Sequence, residues 1–94
     1  MIKTFGCKET EKIFNGRFSR KFPNAIQKVA LRKLTQIHAA ETLDFLRVPP
    51  ANHLERLTGN RKGQLSIRIN DQWRICFTWK DGHAFNVEIV DYHH

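Results

Sequence analysis

The fold is decided by residues 65–90, which read LSIRINDQWRICFTWKDGHAFNVEIV and place an apolar side chain at nearly every second position. Such alternation over four to eight residues is typical of a β-strand with one buried face. The apolar sets are Leu65, Ile67 and Ile69; Trp73, Ile75, Phe77 and Trp79; and Phe85, Val87 and Ile89. Residues 70–72 join the first two strands, and Asp81-Gly82 is typical of a two-residue type I′ hairpin turn. The stretch therefore predicts an antiparallel meander of three strands.

The residues before this meander favour helices. Residues 8–14 predict a brief helix, and residues 42–48 predict one further turn before a Pro-Pro pair ends it. The longest helix is predicted over residues 24–40, with Asn24 as its N-cap and Gln27 in capping-box register. Its apolar side is formed by Ile26, Val29, Ala30, Leu34 and Ile37, and its polar side by Lys28, Arg32, Lys33 and Gln36. This amphipathic helix is expected to cover the Trp73 side of the sheet.

These elements predict an α+β fold, with two or three N-terminal helices packed on one face of a mainly antiparallel sheet. Residues 2–5 favour an edge strand, and residues 53–57 are expected to pair beside the first strand of the meander. The 94 residues match the size of one domain, and no linker or repeat divides them. Residues 1–94 are therefore expected to form a single domain.

Composition excludes several classes of protein. No apolar run reaches the roughly 18–20 residues of a membrane span, and the charged N-terminus does not resemble a signal peptide. Cys7 and Cys76 are the two thiols, and neither a disulfide framework nor a zinc site fits their spacing. We therefore expect a cytoplasmic protein that needs no metal or other cofactor and does not associate with a membrane.

The charge favours a polyanionic partner, with solubility alone as the alternative explanation of a small basic domain. Sixteen Lys and Arg residues against nine Asp and Glu residues give a net charge of +7 and a pI near 9.9. Arg68 and Arg74 are expected on neighbouring strands of the open sheet face, bordered by Arg61 and Lys62 in a basic turn. Such a cluster favours a phosphate site. The alternative is a solvated face on which Glu88 neutralises the arginines.

The run Asp91-Tyr92-His93 beside an arginine cluster suits RNA cleavage without a metal ion. In that reaction the substrate 2′-OH attacks the adjacent phosphorus, a base and an acid move protons, and cations stabilise the transition state. His93 serves as either acid or base, Asp91 orients it or is the base, and Tyr92 bonds a phosphate or stacks on a base. Strict alternation places Asp91 and His93 on the core side, so the tail must leave the strand to reach Arg74.

The other candidate nucleophiles and proton carriers have simpler interpretations. His38 and His83 are expected to be structural, and Tyr92 has the alternative of sealing the sheet edge. His53 either packs or contacts RNA, and the sequence leaves both open. Cys76 shares a face with Arg74 but has no base at close spacing, so nucleophilic catalysis by its thiol is not expected.

Three segments together resemble the HigB-type toxins of the bacterial RelE/ParE superfamily, close to the growth-rate-affecting subgroup. They read LTGNRKG at residues 57–63, SIRINDQWRICF at residues 66–77 and VDYH at residues 90–93. The likeness extends from residue 2 to residue 93. It implies two helices against a curved antiparallel sheet, in the toxin of a type II toxin–antitoxin pair.

The resemblance also implies an activity and partners. Such toxins enter the ribosomal A site, near 16S rRNA, and cut mRNA during translation. A neighbouring helix-turn-helix antitoxin of the HigA kind blocks the toxin and represses the operon, so operator DNA is contacted only through the antitoxin. By motif, Arg74 matches the arginine after the family's tryptophan, and residues 91–93 match its C-terminal trio. Arg61 matches the basic position of the glycine-rich turn.

The chain departs from this pattern at three positions. Some HigB toxins have a histidine and a lysine where Glu55 and Thr58 stand, and Asn70 replaces a family arginine, with Arg68 two positions earlier. Weak or context-limited cleavage is therefore expected. The basic loop with Arg17, Arg20 and Lys21 is a further candidate for rRNA contact, by charge alone.

Two other functions stay open at the level of sequence. One is a ParE-like inhibitor of DNA gyrase with the same fold, and the other is a ribosome- or RNA-binding module without catalysis. The Asp-Tyr-His terminus favours the nuclease over the gyrase inhibitor, and His93→Ala would distinguish the nuclease from the binding module.

Overall fold

The computed structural model describes residues 1–92. Within that range three α-helices precede a four-stranded sheet. The helices are α1 (Lys8–Phe14), α2 (Asn24–Ala39) and α3 (Leu43–Arg47), and the strands are β1 (Glu55–Arg56), β2 (Leu65–Arg68), β3 (Trp73–Lys80) and β4 (His83–Asp91). Short 3₁₀ turns at Pro50–Asn52 and Gly59–Arg61 precede β1 and β2. The α+β class predicted from the sequence is confirmed.

The sheet is an antiparallel meander in the order β1-β2-β3-β4. Asp81 and Gly82 both have positive φ, 55° and 79°, as a type I′ hairpin requires. The predicted pairing of residues 53–57 is confirmed by the two-residue strand β1. Residues 2–5 make two isolated parallel bridges to β4 and do not form the edge strand that was expected.

The helices bury their apolar sides against one face of the sheet. Ala30, Leu34 and Ile37 of α2 are fully buried with Ile75 and Phe77 of β3. At about 25 cal/mol per Å² of apolar surface, this shared core is the main stabilising contribution to the fold. It leaves the other face of β2 and β3 for a site.

Two predictions about α2 are wrong in detail. Pro23 occupies the N-cap position with no side-chain hydrogen bond, so Asn24 and Gln27 do not form a capping box. The Gln27 side chain instead bonds both backbone groups of Ser19 and the carbonyl of Phe22, because it points into the preceding loop. Lys33, predicted on the polar side, is buried.

A β-bulge corrects the predicted facing of Phe85. The β3–β4 register shifts between Cys76 and Thr78, and Asn86 has φ of 53°. The extra residue reverses the alternation, so Ala84 is fully buried while Phe85 pairs with Thr78 on the opposite face. In residues 1–92, no helix is long and apolar enough to cross a membrane.

Candidate functional site

The open face of the sheet carries a cavity of about 570 Å³ beside the start of β3. Residues from β1, β2, β3, the turn between β2 and β3, and the end of β4 converge on it. They are His53, Glu55, Arg68, Asn70, Asp71, Arg74 and Tyr92. The antiparallel register explains the convergence, because it places Arg68 directly opposite Arg74. The predicted neighbourhood of these two arginines is therefore confirmed.

Arg74 lies at the bottom of this cavity and is buried, with 7% of its surface exposed. The prediction that it stands on an uncovered face is wrong, because Ser66 and the His53 carbonyl, which lies just before β1, enclose its guanidinium group. Its Nε donates to Ser66 Oγ at 2.7 Å, and its Nη2 donates to the His53 carbonyl. These bonds fix the plane of the guanidinium group. Its Nη1 is 3.9 Å from a Glu55 carboxylate oxygen, which is too long for a hydrogen bond.

The other predicted phosphate ligands differ in where they lie. Arg68 lines the cavity, and its Nη2 is paired with the exposed carboxylate of Asp71. Arg61 does not line it, since its Nη1 is bonded to Glu88 at 2.7 Å. That hydrogen bond raises the pKa of Arg61. Glu88 is thus a neutralising partner for Arg61, as the alternative interpretation of the open face held, and exposed Lys62 lies in the adjoining turn.

Asp91 and Tyr92 of the C-terminal run lie in different surroundings. Asp91 pairs in register with Trp73, is exposed, and accepts a hydrogen bond from Gln72 Nε2 at 3.2 Å. It is not among the residues that line the cavity. Tyr92 follows the end of β4, with its N–H donating to the Gln72 carbonyl at 2.6 Å. Its ring centroid lies 5.9 Å from Cζ of Arg74, within cation–π range. His93 and His94 lie outside the described residues.

Four lining residues were not among the predicted site residues: His53, Glu55, Asn70 and Asp71. Glu55 supplies a carboxylate next to Arg74, and the sequence showed it only as a departure from the family pattern. Its position follows from the pairing of β1 with β2, which places Glu55 opposite Ser66. His53 adopts a left-handed backbone conformation, with φ of 43°, and lines the same cavity.

The remaining candidates lie away from the cavity. None of Arg17, Arg20 and Lys21 lines it. Lys21 instead contacts Cys7 Sγ at 3.5 Å, beside α1. They stay candidates by charge alone.

The residues expected to have no catalytic role also lie elsewhere. His38 accepts a hydrogen bond from the backbone of Ile2 through Nδ1 and packs on Phe14, which fits a structural role. Cys76 is fully buried, and that burial raises the pKa of its thiol. Among residues 1–92, no three His, Cys, Asp or Glu side chains are grouped so that they could hold a metal ion.

Comparison with known proteins gives one consistent family. A family model described as the RelE-like toxin of type II toxin-antitoxin system HigB matches residues 3–93. Toxin HigB-1 of Vibrio cholerae is 46% identical over 67 residues, which cover 71% of this chain and 70% of that protein. An uncharacterized protein of Haemophilus influenzae is 40% identical over 67 residues, which cover 71% of this chain and 66% of that protein.

Solved structures match over the whole chain. A chain from the heterotetrameric YoeB-YefM toxin-antitoxin complex of Staphylococcus aureus superimposes with a TM-score of 0.59 at 21% identity. A second YoeB-YefM structure from that organism gives 0.56 at 22% identity. Each comparison covers 100% of this chain and 99% of the other. At this identity the likeness is one of fold.

Proposed function

Because the chain belongs to the HigB family of RelE-like toxins, the toxins of type II toxin–antitoxin systems, we propose that it is a ribosome-dependent endoribonuclease. In this proposal it enters the A site of a translating ribosome in the cytoplasm and cuts the mRNA there. The observation that carries the proposal is the guanidinium group of Arg74, held rigidly at the base of an open cavity that also contains a carboxylate and a phenol.

The proposed reaction needs no metal ion. The substrate 2′-OH attacks the adjacent phosphorus as a base removes its proton, a 2′,3′-cyclic phosphate forms, and the 5′-oxygen leaves with a proton from an acid. Negative charge builds on the non-bridging oxygens in the transition state. A guanidinium fixed before the substrate arrives stabilises that charge without reorganisation, and one well-placed donor is worth roughly 3–4 kcal/mol.

Arg74 has the geometry for this role. Its Nε donates to Ser66 and its Nη2 donates to the His53 carbonyl, so we assign the Nη1 edge to a phosphate oxygen of the substrate. Arg68, on the facing position of β2, adds positive charge along the same wall. Tyr92 lines the cavity with its ring centroid 5.9 Å from Arg74 Cζ. In this proposal its hydroxyl donates to a phosphate or its ring stacks on a base.

The proton carriers are assigned by chemistry. Glu55 is the carboxylate nearest Arg74 in the cavity and is a suitable proton acceptor for the 2′-OH. Asp91 is retained as the alternative base or as the residue that orients His93. We assign His93 as the acid, because it follows Tyr92 directly and an imidazole can donate a proton near neutral pH.

Two further groups of cations are proposed to hold RNA without reacting. Arg61 and Lys62 border the open sheet face, and the loop with Arg17, Arg20 and Lys21 is available for rRNA. Contacts of this kind weaken steeply as salt rises, whatever the RNA sequence. The proposed macromolecular partners are therefore mRNA and the 16S rRNA near the A site.

The same assignment includes an antitoxin. The YoeB chains that share this fold were solved in complexes with YefM, and HigB-1 of Vibrio cholerae is named as a toxin. We propose that a helix-turn-helix antitoxin encoded beside this chain binds it, blocks its activity, and mediates any contact with operator DNA.

The test is a purified translation system programmed with a defined message. Wild-type protein is expected to cut the message within codons in the A site and to leave the same RNA intact when ribosomes are absent. It is also expected to remain active after EDTA treatment, when only the magnesium that the ribosome itself requires is added back. Primer extension maps the cuts. Arrest of translation with intact mRNA contradicts the proposal.

Two additional experiments separate the alternatives. A gyrase inhibitor would induce the DNA-damage response in cells and leave messages whole. A non-catalytic binding module would retain full activity after His93→Ala, whereas the nuclease loses cleavage and keeps most of its affinity for RNA.

A further inference from the structure

The buried polar side chains of the molecule include a lysine in an unexpected place. Lys33 of α2 has 6% of its surface exposed, although its sequence neighbours Arg32 and Lys28 face solvent. None of the ion pairs found within residues 1–92 includes Lys33. Burial, with Arg32 and Arg68 nearby, lowers the pKa of its amine. A buried amine without a carboxylate is unfavourable unless its hydrogen bonds are specific, so its partner matters.

That partner is Asn52, which is fully buried. Lys33 Nζ donates to Asn52 Oδ1, while Asn52 Nδ2 donates to Gln36 Oε1 at 3.2 Å and to the Leu46 carbonyl at 3.1 Å. Every side-chain polar atom of Asn52 is therefore used. Because Lys33 and Gln36 are one turn apart on α2, the turn Pro50–Asn52 is bonded to that helix at two points.

The residue after Asn52 connects this anchor to the cavity. His53 takes a left-handed conformation, and its N–H donates to the Pro50 carbonyl at 3.2 Å. Its own carbonyl accepts the hydrogen bond from Arg74 Nη2. Ser66 fixes one edge of the guanidinium from β2, and His53 fixes another from this turn. Asn52, whose side chain is bonded to α2, directly precedes His53 in the chain.

We infer that Lys33 and Asn52 are a positioning pair, which holds the 50–53 turn so that the His53 carbonyl fixes the Arg74 guanidinium in the cavity. Neither residue touches the RNA in this scheme. The effect on catalysis rests on the proposed nuclease function, but the effect on Arg74 itself does not. A misplacement of about 1 Å in a positioned group is enough to lower a rate roughly 100-fold.

The experiment compares Lys33→Met with Lys28→Met. Both changes remove one lysine charge from α2, but Lys28 is exposed, five positions earlier on a different side of the helix. Methionine fills the space of the buried lysine stem without an amine, so the variant is expected to fold. In ribosome-dependent cleavage, Lys33→Met should lower kcat at least 10-fold and change KM less than 3-fold, and Lys28→Met should match wild type.

Two further measurements distinguish positioning from general damage. In an Arg74→Ala background, Lys33→Met should cause no additional loss, because the residue through which it acts is gone. Lys33→Gln keeps a donor for Asn52 and should recover at least 3-fold in kcat over Lys33→Met. If Lys33→Met does not fold, Lys33→Gln is compared directly with wild type and is expected to fall between 2-fold and 10-fold below it.

A readout independent of cleavage completes the test. The buried Arg74 Nε–H, bonded to Ser66, gives an NMR signal that Arg74→Lys identifies by its disappearance. Lys33→Met should shift this signal and speed its exchange with solvent, while Lys28→Met leaves it unchanged. An unchanged Arg74 signal and an unchanged kcat in folded Lys33→Met overturn the inference. If wild type does not cleave mRNA, the nuclease proposal fails, and the NMR comparison alone decides whether the pair positions Arg74.

Discussion

The most informative single change is Arg74→Lys, because it keeps the positive charge and removes the planar fork. In the wild type the guanidinium donates to Ser66 Oγ at 2.7 Å and to the His53 carbonyl, and its Nη1 lies 3.9 Å from Glu55, which lines the cavity. A lysine amine is a single point of charge on a flexible stem, so it cannot hold both partners and face a phosphate at once.

The expected loss follows from that geometry. One preorganised donor to a developing oxyanion is worth roughly 3–4 kcal/mol, so the single-turnover cleavage rate should fall by roughly 10²–10³-fold. Losing part of a buried, charge-assisted hydrogen-bond set should lower the free energy of unfolding by about 1–3 kcal/mol. For a chain of this length, a change of about 1 kcal/mol moves Tm by roughly 4–8 °C.

The assay measures single-turnover cleavage of a ribosome-bound message at 25 °C, with circular dichroism to confirm that the variant is folded at that temperature. Arg47→Lys is the matched control, since Arg47 lies exposed on α3 in an ion pair with Asp44. Its rate should equal that of wild type. If folded Arg74→Lys cleaves within 3-fold of wild type, charge alone is sufficient and the reasoning from a fixed fork is wrong.

Three further predictions concern the C-terminal run and the thiols. His93→Ala should abolish cleavage while RNA affinity, measured by filter binding, stays within 3-fold; a fully active variant would remove His93 from the mechanism. Tyr92→Phe keeps the ring against Arg74 and should cleave at least 5-fold faster than Tyr92→Ala; equal rates would show that ring packing is irrelevant. Burial raises the pKa of the Cys7 thiol, but hydrogen bonds from Thr10 and other groups outweigh burial, so the net pKa is lowered. Burial raises the pKa of Cys76. Cys7 should therefore react with iodoacetamide at pH 7.5 well before Cys76. Mass spectrometry of the alkylated protein measures the order, and modification of Cys76 first contradicts it.

The sequence predicted the meander because strand formation is a local pattern. The apolar alternation in residues 65–90 and the Asp81-Gly82 turn were sufficient to predict strands β2, β3 and β4 and their order in the sheet. Helix α2 could also be predicted from the sequence, since its apolar residues repeat at three- and four-residue steps. Strand alternation predicted the wrong face for Phe85, because a one-residue bulge reverses which residues of a strand face the core. Such a bulge leaves no clear signal in the composition of the sequence.

Part of the candidate site was predictable and part was not. The facing of Arg68 and Arg74 across β2 and β3 follows from strand alternation and register. Glu55 could not be assigned to the cavity, because its place depends on a two-residue strand that exists only through its pairing with β2. The burial of Lys33 was missed for the same reason, as its partner Asn52 lies nineteen residues away.

The sequence by itself therefore determined the α+β class, the strand order and the family of this protein, all of which depend on residues that are near neighbours along the chain or on a motif read directly. The tertiary structure alone decided that Arg74 is a buried, fixed group. Its hydrogen-bond partners, Ser66 and His53, stand 8 and 21 positions away. Periodicity reports which side of a strand a residue occupies, but the depth at which it lies depends on what distant segments fold over it.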